Sequence, residues 1–387
     1  MLRKADRIAT VPPYLFATID KKRKEAQARG VDIINLGIGD PDQPAPTYVV
    51  DKLAAEAATY HRYPDYEGAL EFRQAAADYY QRRFGVTADP KNEVVALIGS
   101  KEGLSHLVWA FVDPGDVALV PDPAYPVYRT QTLLAGGIPV AMPLLAENGF
   151  LPDLDAIDPA VAAKATIMFL NYPNNPTAGV ADLAFFEKAV AFCKKYKILL
   201  CHDNAYAEMT YDDFTAPSVL QVPGAKDIAV ESYSLSKPYN MTGWRIAFMI
   251  GNAEAIGALG IIKTNTDSGQ FTAIQMAGIE AMKHQPEAFV GQMNRMYKGR
   301  RDVLIGGLRK LGWDIEAPKG SFYAWIPVPK GYTSAGFAET LLDKAGIIVT
   351  PGNAYGDCGE GYVRFALTVD ERRMQEAVDR IGKVLKG

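Results

Sequence analysis

From about residue 90 the chain alternates short, wholly apolar runs with longer stretches whose apolar positions recur at helical spacing. Val94–Ile98, Val117–Val120, Ile167–Leu170, Ile198–Cys201, Ile228–Val230 and Ile246–Ile250 read as buried strands. Lys101–Phe111, Pro126–Leu134 and Leu183–Tyr196 read as the helices between them. Alternation of this kind predicts an α/β fold in which a mostly parallel sheet is covered on both faces. Ligands of such sheets bind beyond the carboxyl ends of the strands, so the residues that follow each apolar run are where chemistry is to be sought.

Beyond Gln275 the pattern changes. A long helical region, Pro286–Leu311, leads into separate strands (Phe322–Ile326, Gly346–Val349, Tyr362–Ala366) and two helices (Ser334–Lys344, Glu371–Leu385), the pattern of a smaller α+β domain. The first 45 residues hold no strand of the main series and are expected to pack with that second unit or to cover the cleft. The expected division is therefore a large domain over 46–284 and a small one built from 1–45 and 285–387. A chain of 387 residues is long enough for both.

Composition narrows the function classes. With 48% apolar and 22% charged residues the chain is an ordinary globular protein, and a formal net charge of -4 gives no reason to expect a nucleic-acid partner. Cys193, Cys201 and Cys358 are too few and too scattered for a disulfide framework or a Cys-x-x-Cys metal site, so a reducing cytoplasm is the simplest home. His61, His106, His202 and His284 show no metal-ligand spacing, and no metal is expected. The N-terminus is charged and lacks a signal-like apolar core before Pro12-Pro13. The most membrane-like run, Ile246–Ile262, carries Asn252 and Glu254 and reads as a strand turning into a helix.

The most informative segment is Ser234-Leu235-Ser236-Lys237, followed by Gly243-Trp244-Arg245. A lysine amine can condense with a carbonyl, and hydroxyls with a guanidinium can hold a phosphate dianion. Pyridoxal 5'-phosphate carries both groups, although Ser-x-x-Lys also opens serine acyltransferase motifs. Gly99-Ser100-Lys101 follows the run ending at Ile98 and opens a helix, whose free N–H groups suit a phosphate; Ser100 also reads as a plain N-cap. Tyr125 stands on a proline-stiffened loop, where its ring either lies on a heteroaromatic cofactor or is structural. Asp203 ends an apolar strand, a costly place for a carboxylate unless it meets a cation such as a protonated pyridine nitrogen. His202, one position earlier, faces the other way and reads as a core histidine. Arg364 lies within an apolar strand, where its planar fork suits an α-carboxylate or a structural salt bridge.

Taken in order, these segments resemble the class I/II aminotransferases, the fold-type-I pyridoxal-phosphate enzymes. Asn171-Tyr172-Pro173-Asn174-Asn175-Pro176-Thr177-Ala178-Gly179 is the most distinctive match, with Ala178 inserted before the family's glycine. The resemblance implies a large domain with a seven-stranded sheet. It implies Lys237 as the catalytic lysine and Asp203 as the partner of the cofactor's ring nitrogen. Asn175 and Tyr206 would contact its phenolic oxygen, and Tyr125 its face. Gly99, Ser100, Lys101, Ser234, Ser236 and Arg245 would surround its phosphate. Gly39, Lys101, Asn175 and Arg364 would meet the substrate. Asn204 replaces the more usual glutamate. Tyr63, in His61–Gly68, aligns with a tyrosine that reaches the phosphate of the other protomer, which implies a homodimer with shared sites.

A nicotinamide dehydrogenase would share the sheet, but no Gly-x-Gly-x-x-Gly follows a strand. A sensor that only binds the cofactor would normally carry a nucleic-acid domain. A pyridoxal-phosphate lyase or decarboxylase shares Lys237, Asp203 and Arg245, and family frequencies favour transamination. Leu36–Asp42, His61–Gly68, Ile98–Gly103, Pro238–Arg245 and Lys263–Gln270 resemble the LL-diaminopimelate aminotransferases. That resemblance implies exchange of an amino group between LL-2,6-diaminopimelate and 2-oxoglutarate, with aspartate, alanine and aromatic aminotransferases as the alternatives.

Overall fold

The computed structural model describes residues 2–11, 23–283 and 286–386; His284 lies outside them. After β1 (Ile34–Asn35) come the strands of the central sheet: β2 (Val94–Leu97), β3 (Val117–Asp122), β4 (Ile138–Pro143), β5 (Ala165–Leu170), β6 (Leu199–Asp203), β7 (Ala229–Ser234) and β8 (Ala247–Gly251). Their order across the seven-stranded sheet is β2-β8-β7-β6-β5-β3-β4. Every residue of β2, β6, β7 and β8 is buried; β2 and β8 read as unbroken apolar runs, whereas β6 and β7 continue past theirs into the buried polar residues His202, Asp203, Glu231, Ser232 and Ser234. β4 has no counterpart among those runs. It is an edge strand, largely open to solvent, and carries Pro139 and Pro143, which an edge readily tolerates.

The sheet is parallel except for β8, which pairs antiparallel with both β7 and β2. This departure matters to the site. An antiparallel strand begins at the edge where its parallel neighbours end, so the segment from Ser234 to Ala247 stays on one rim of the sheet and holds Lys237 and Arg245 there.

Strand alternation divides the sheet's side chains between two cores. Val94, Ala96, Phe248 and Ile250 pack with Phe72, Tyr80, Phe186 and Met282 from the helices Leu70–Phe84, Leu183–Tyr196 and Thr272–Lys283. Val95, Leu97, Ala247 and Met249 face the other way, onto Leu104, Leu107, Val127 and Leu259 from Ser100–Phe111, Val127–Ala135 and Ala253–Thr264. The period of two thus places adjacent residues in different cores.

A third core gathers around β9 (Tyr323–Pro327), β10 (Ile347–Ile348), β11 (Thr350–Pro351) and β12 (Tyr362–Ala366). β11, β12 and β9 form an antiparallel sheet, backed by the helices Pro286–Lys310, Ser334–Ala345 and Glu371–Lys386. The predicted strand Gly346–Val349 is present as β10 alone. Ile347 and Ile348 pair parallel with β1, then the chain changes partner and Thr350 and Pro351 pair antiparallel with β12. Through β1 the residues just before Gly37–Asp40 are anchored to this third core, which holds Ile34 and Leu36.

Candidate active site

A cleft of about 400 Å³ opens where the carboxyl ends of the central strands meet the β9–β12 sheet. Its walls include Gly39, Ser100, Lys101, Tyr125, Asn175, Asp203, Tyr206, Ser234, Ser236, Lys237, Arg245 and Arg364. Segments that lie more than 300 residues apart in sequence thus converge on one space.

Lys237 follows β7 on a turn in which the Ser236 N–H donates to Ser234 Oγ at 3.1 Å. Its Nζ donates to Gly39 O at 3.0 Å and stands 5.2 Å from the centre of the Phe322 ring. Burial lowers its pKa from the usual lysine value to about 8; Asp40 opposes that shift, and the positive charges of Arg364 and Arg245 add to it. About a tenth of the amine is therefore unprotonated at neutral pH, far more than for an ordinary lysine, as a nucleophile or base requires.

Asp203 ends β6 and is buried. Tyr128 donates its hydroxyl to Oδ2 at 2.8 Å, while the buried Oδ1 has no hydrogen-bond partner. Burial raises the pKa of Asp203 to about 6, against the hydrogen bond from Tyr128 and the charge of His202. A buried oxygen without a donor costs free energy of roughly 1–3 kcal/mol or more, so a site of this kind is suited to a ligand that brings an N–H. Ser100 Oγ, at the opposite wall, is likewise buried without a partner.

Arg364 is 1% exposed. Its Nη1 donates to Asn175 Oδ1 and its Nη2 to Gly37 O, both at 2.7 Å, and its guanidinium lies 4.0 Å over the Tyr323 ring. Because Asn175 Oδ1 accepts from Arg364, the amide's Nδ2 is left to donate elsewhere. Tyr206 donates to the Tyr323 hydroxyl at 3.2 Å. Gly39 permits this packing, since a Cβ there would lie 1.8 Å from the Tyr323 hydroxyl oxygen. Gly99, with φ +77°, permits close packing in the same way: a Cβ would lie 2.1 Å from Arg245 Nη2.

Two expected site residues are not part of the cleft wall. Gly99 lies just behind it, under Arg245. Tyr63 is 92% exposed on the surface of the chain. His202 is buried, with Nδ1 2.7 Å from Glu231 Oε2 and Nε2 3.1 Å from Tyr172 O, and Asn204 donates to the same glutamate. The inserted Ala178 takes a left-handed backbone, φ +57°.

Tyr323, Tyr128, Asn171, Thr242 and Asp40 also belong to the site or support it and are given no role in the sequence reading. Tyr128 had a signal: it stands one helical turn beyond Tyr125. Asn171, whose Nδ2 donates to Asp203 O at 2.7 Å, lies within the recognised asparagine-rich segment. Tyr323 had none. It meets Arg364 because it sits diagonally across the β9–β12 ladder, where Arg364 pairs with Trp325 and Ala366 with Tyr323, and pairing register is not visible in sequence.

Among the described residues no helix is long and apolar enough to cross a membrane. Residues 31–381 match the family model for aminotransferase class I and II. An LL-diaminopimelate aminotransferase of Moorella thermoacetica is 58% identical over 386 residues, covering 99% of each chain. One from Aquifex aeolicus is 51% identical over 98% of this chain and 99% of its own. Among solved structures, substrate-bound BacF from Bacillus subtilis superposes with a TM-score of 0.95 at 39% identity, over 99% of this chain and 98% of that one. A mutant aspartate aminotransferase of Thermus thermophilus gives 0.93 at 29% identity, over 99% and 100%. The family depends on pyridoxal 5'-phosphate and acts on amino and oxo acids. With its fold-type-I architecture and a match over nearly its whole length, the chain belongs to the class I and II aminotransferases.

Proposed function

We propose that the cleft holds pyridoxal 5'-phosphate on Lys237 and that the protein exchanges an amino group between LL-2,6-diaminopimelate and 2-oxoglutarate. The observation that carries the cofactor assignment is the pairing of an amine with a lowered pKa, Lys237, and a buried carboxylate oxygen without a donor, Asp203 Oδ1, on one cleft. The substrate assignment draws on the LL-diaminopimelate aminotransferases that are more than 50% identical to this chain and on Lys101 in the wall.

When bound, the cofactor supplies a protonated aromatic ring that takes up the electrons released as a proton leaves the substrate's Cα. The chain's own residues do the rest. Asp203, held by Tyr128, keeps the proton on the ring nitrogen. Tyr206 and the Nδ2 of Asn175 donate to the phenolic oxygen, and Tyr125 lies against the ring face. Ser100, Ser234, Ser236, Arg245 and the N–H groups that follow Gly99 hold the phosphate. Arg364 binds the α-carboxylate as a fork beside the Gly39 backbone. The substrate's amino group would displace Lys237 from the cofactor's carbonyl carbon, and the freed Nζ would carry the proton from Cα to that carbon and back again in the half-reaction with the second oxo acid. Lys101 then meets the distal carboxylate that diaminopimelate and 2-oxoglutarate share.

On this reading 46–284 is the cofactor-binding domain, and 1–45 with 285–387 is the small domain. Exposed Tyr63 serves the phosphate of a second protomer in a cytoplasmic homodimer. The test is a panel of amino acids with 2-oxoglutarate. Turnover of LL-diaminopimelate well above aspartate, alanine and phenylalanine is expected; activity with alanine and none with diaminopimelate would overturn the substrate reading.

A further inference from the structure

The cradle proposed for the phosphate has two arms, the start of the helix Ser100–Phe111 and the guanidinium of Arg245. Arg245 sits in a left-handed backbone conformation, φ +55° and ψ +54°. For a residue with a Cβ that costs roughly 1–2 kcal/mol, so it persists only where neighbours hold it.

Gln270 holds it. Its Nε2 donates to Trp244 O at 3.0 Å and to Arg245 O at 2.7 Å, from a side chain that is itself buried. The turn before Gln270 is fixed in the same way: the Gly269 N–H donates to Asp267 Oδ1 at 2.7 Å, and the Gln270 carbonyl accepts from Gln275 Nε2 at 2.6 Å. Asp267 Oδ2 then accepts from Lys263 Nζ at 3.1 Å, and the same ammonium donates to Glu102 Oε1 at 3.1 Å. Glu102 lies in the first turn of the helix that Ser100 opens, and its Oε2 accepts from the Ile98 N–H at 2.8 Å. One side-chain path therefore runs from the strand end before Gly99 to the backbone of Arg245.

The centre of that path is rigid for an electrostatic reason. Lys263 is fully buried between two carboxylates, and His106 Nδ1 lies 2.5 Å from Glu102 Oε1 and 3.6 Å from Asp267 Oδ2. Glu102, His106 and Asp267 are spaced like metal ligands, but the Lys263 ammonium, 3.1 Å from both carboxylates, already provides the cation. A buried charge set between two opposite ones has no alternative position of similar energy. Neither Lys263 nor Gln270 lines the cleft.

We infer that Lys263 and Gln270 are positioning residues: the path through Glu102, Lys263, Asp267 and Gln270 holds the Arg245 guanidinium over Gly99 and so sets the gap between the two arms that grip the phosphate. The inference rests on the reading of the cleft as a pyridoxal 5'-phosphate site. It assigns a function to Lys263–Gln270 that the contacts of the cleft itself do not require.

The test compares two ligands that differ only in the phosphate. The full-length protein, freed of cofactor, is titrated with pyridoxal 5'-phosphate and with pyridoxal, and the ratio of the two dissociation constants measures what the phosphate contributes. Gln270→Met removes the two backbone anchors and keeps the volume. It should weaken pyridoxal 5'-phosphate by about tenfold and leave pyridoxal within about twofold, since a lost anchoring hydrogen bond corresponds to that range. Lys263→Met should lower the same ratio; if it does not fold, Gln270→Met decides alone. Equal weakening of both ligands, or no change in the ratio, would overturn the inference. A wild-type protein that binds the two ligands equally would instead refute the cofactor site on which it rests.

Discussion

Arg364→Lys keeps the positive charge and removes the fork, so it separates charge recognition from geometry. In the wild-type chain, two different nitrogens of the guanidinium donate at 2.7 Å to Asn175 Oδ1 and Gly37 O, and its plane lies 4.0 Å over Tyr323. A lysine ammonium is a single point on a shorter chain and cannot meet both acceptors while also presenting paired N–H groups to a carboxylate. One charge-assisted hydrogen bond is therefore lost from the substrate, worth about 1.5–3 kcal/mol, or roughly tenfold to a hundredfold in kcat/KM. The position is 1% exposed, but the retained cation avoids the larger penalty that a neutral residue would bring by leaving the surrounding acceptors without a donor. Steady-state kinetics with diaminopimelate, glutamate, 2-oxoglutarate and pyruvate should give the same fractional loss for all, because all share the α-carboxylate. A loss confined to one substrate would mean that Arg364 reads a side chain, and a loss below threefold across the set would mean that the carboxylate is held elsewhere.

Lys237→Ala should abolish transamination while the protein remains folded, and borohydride reduction of the wild-type holoenzyme should label Lys237; a label on another lysine would refute its assignment. Because burial lowers the pKa of Lys237 to about 8, its reactive neutral form grows as pH rises. The rate at which cofactor-free protein captures pyridoxal should thus climb from pH 7 and level off above about 8; an inflection near the ordinary lysine value would contradict the burial argument. Tyr128→Phe removes the hydroxyl bonded to Asp203 Oδ2 and should raise the carboxyl's pKa further, by about one to two units for a lost charge-assisted hydrogen bond, and slow single-turnover proton abstraction. An unchanged single-turnover rate would show that Tyr128 does not tune Asp203. Lys101→Ala should impair 2-oxoglutarate and diaminopimelate about tenfold to a hundredfold and spare pyruvate; equal losses would remove Lys101 from substrate selection.

What could be read in the sequence follows from where the site lies. Lys237, Asp203, Asn175, Tyr125 and Ser100 each stand just beyond an apolar run, so a parallel sheet was enough to bring them to one rim. What escaped depends on pairing between distant strands. β4 was hidden because an exposed edge strand with two prolines has no apolar run to show. The antiparallel direction of β8 was hidden because a buried strand reads the same in either direction. Tyr323 was hidden because its contact with Arg364 exists only in the β9–β12 register. The partner exchange between β10 and β11 was hidden for the same reason: both short strands lie in one apolar stretch, and nothing local records that their neighbours differ.

On the proposed function, the junction between the cores would link substrate recognition to chemistry. Lys237 and Asp203 stand on the central sheet, whereas Arg364 and the segment running to Gly39 are fixed to the third core through β12 and β1. Two hydrogen bonds join them inside the cleft, Lys237 Nζ to Gly39 O and Arg364 Nη1 to Asn175 Oδ1. Both involve groups assigned to ligands: the amine to the cofactor, and the guanidinium and amide to the substrate and cofactor. On the proposed function a bound substrate would add its α-carboxylate to contacts that already span the junction. On the proposed assignment the carboxylate would meet a guanidinium that Asn175 already holds in register with the central sheet.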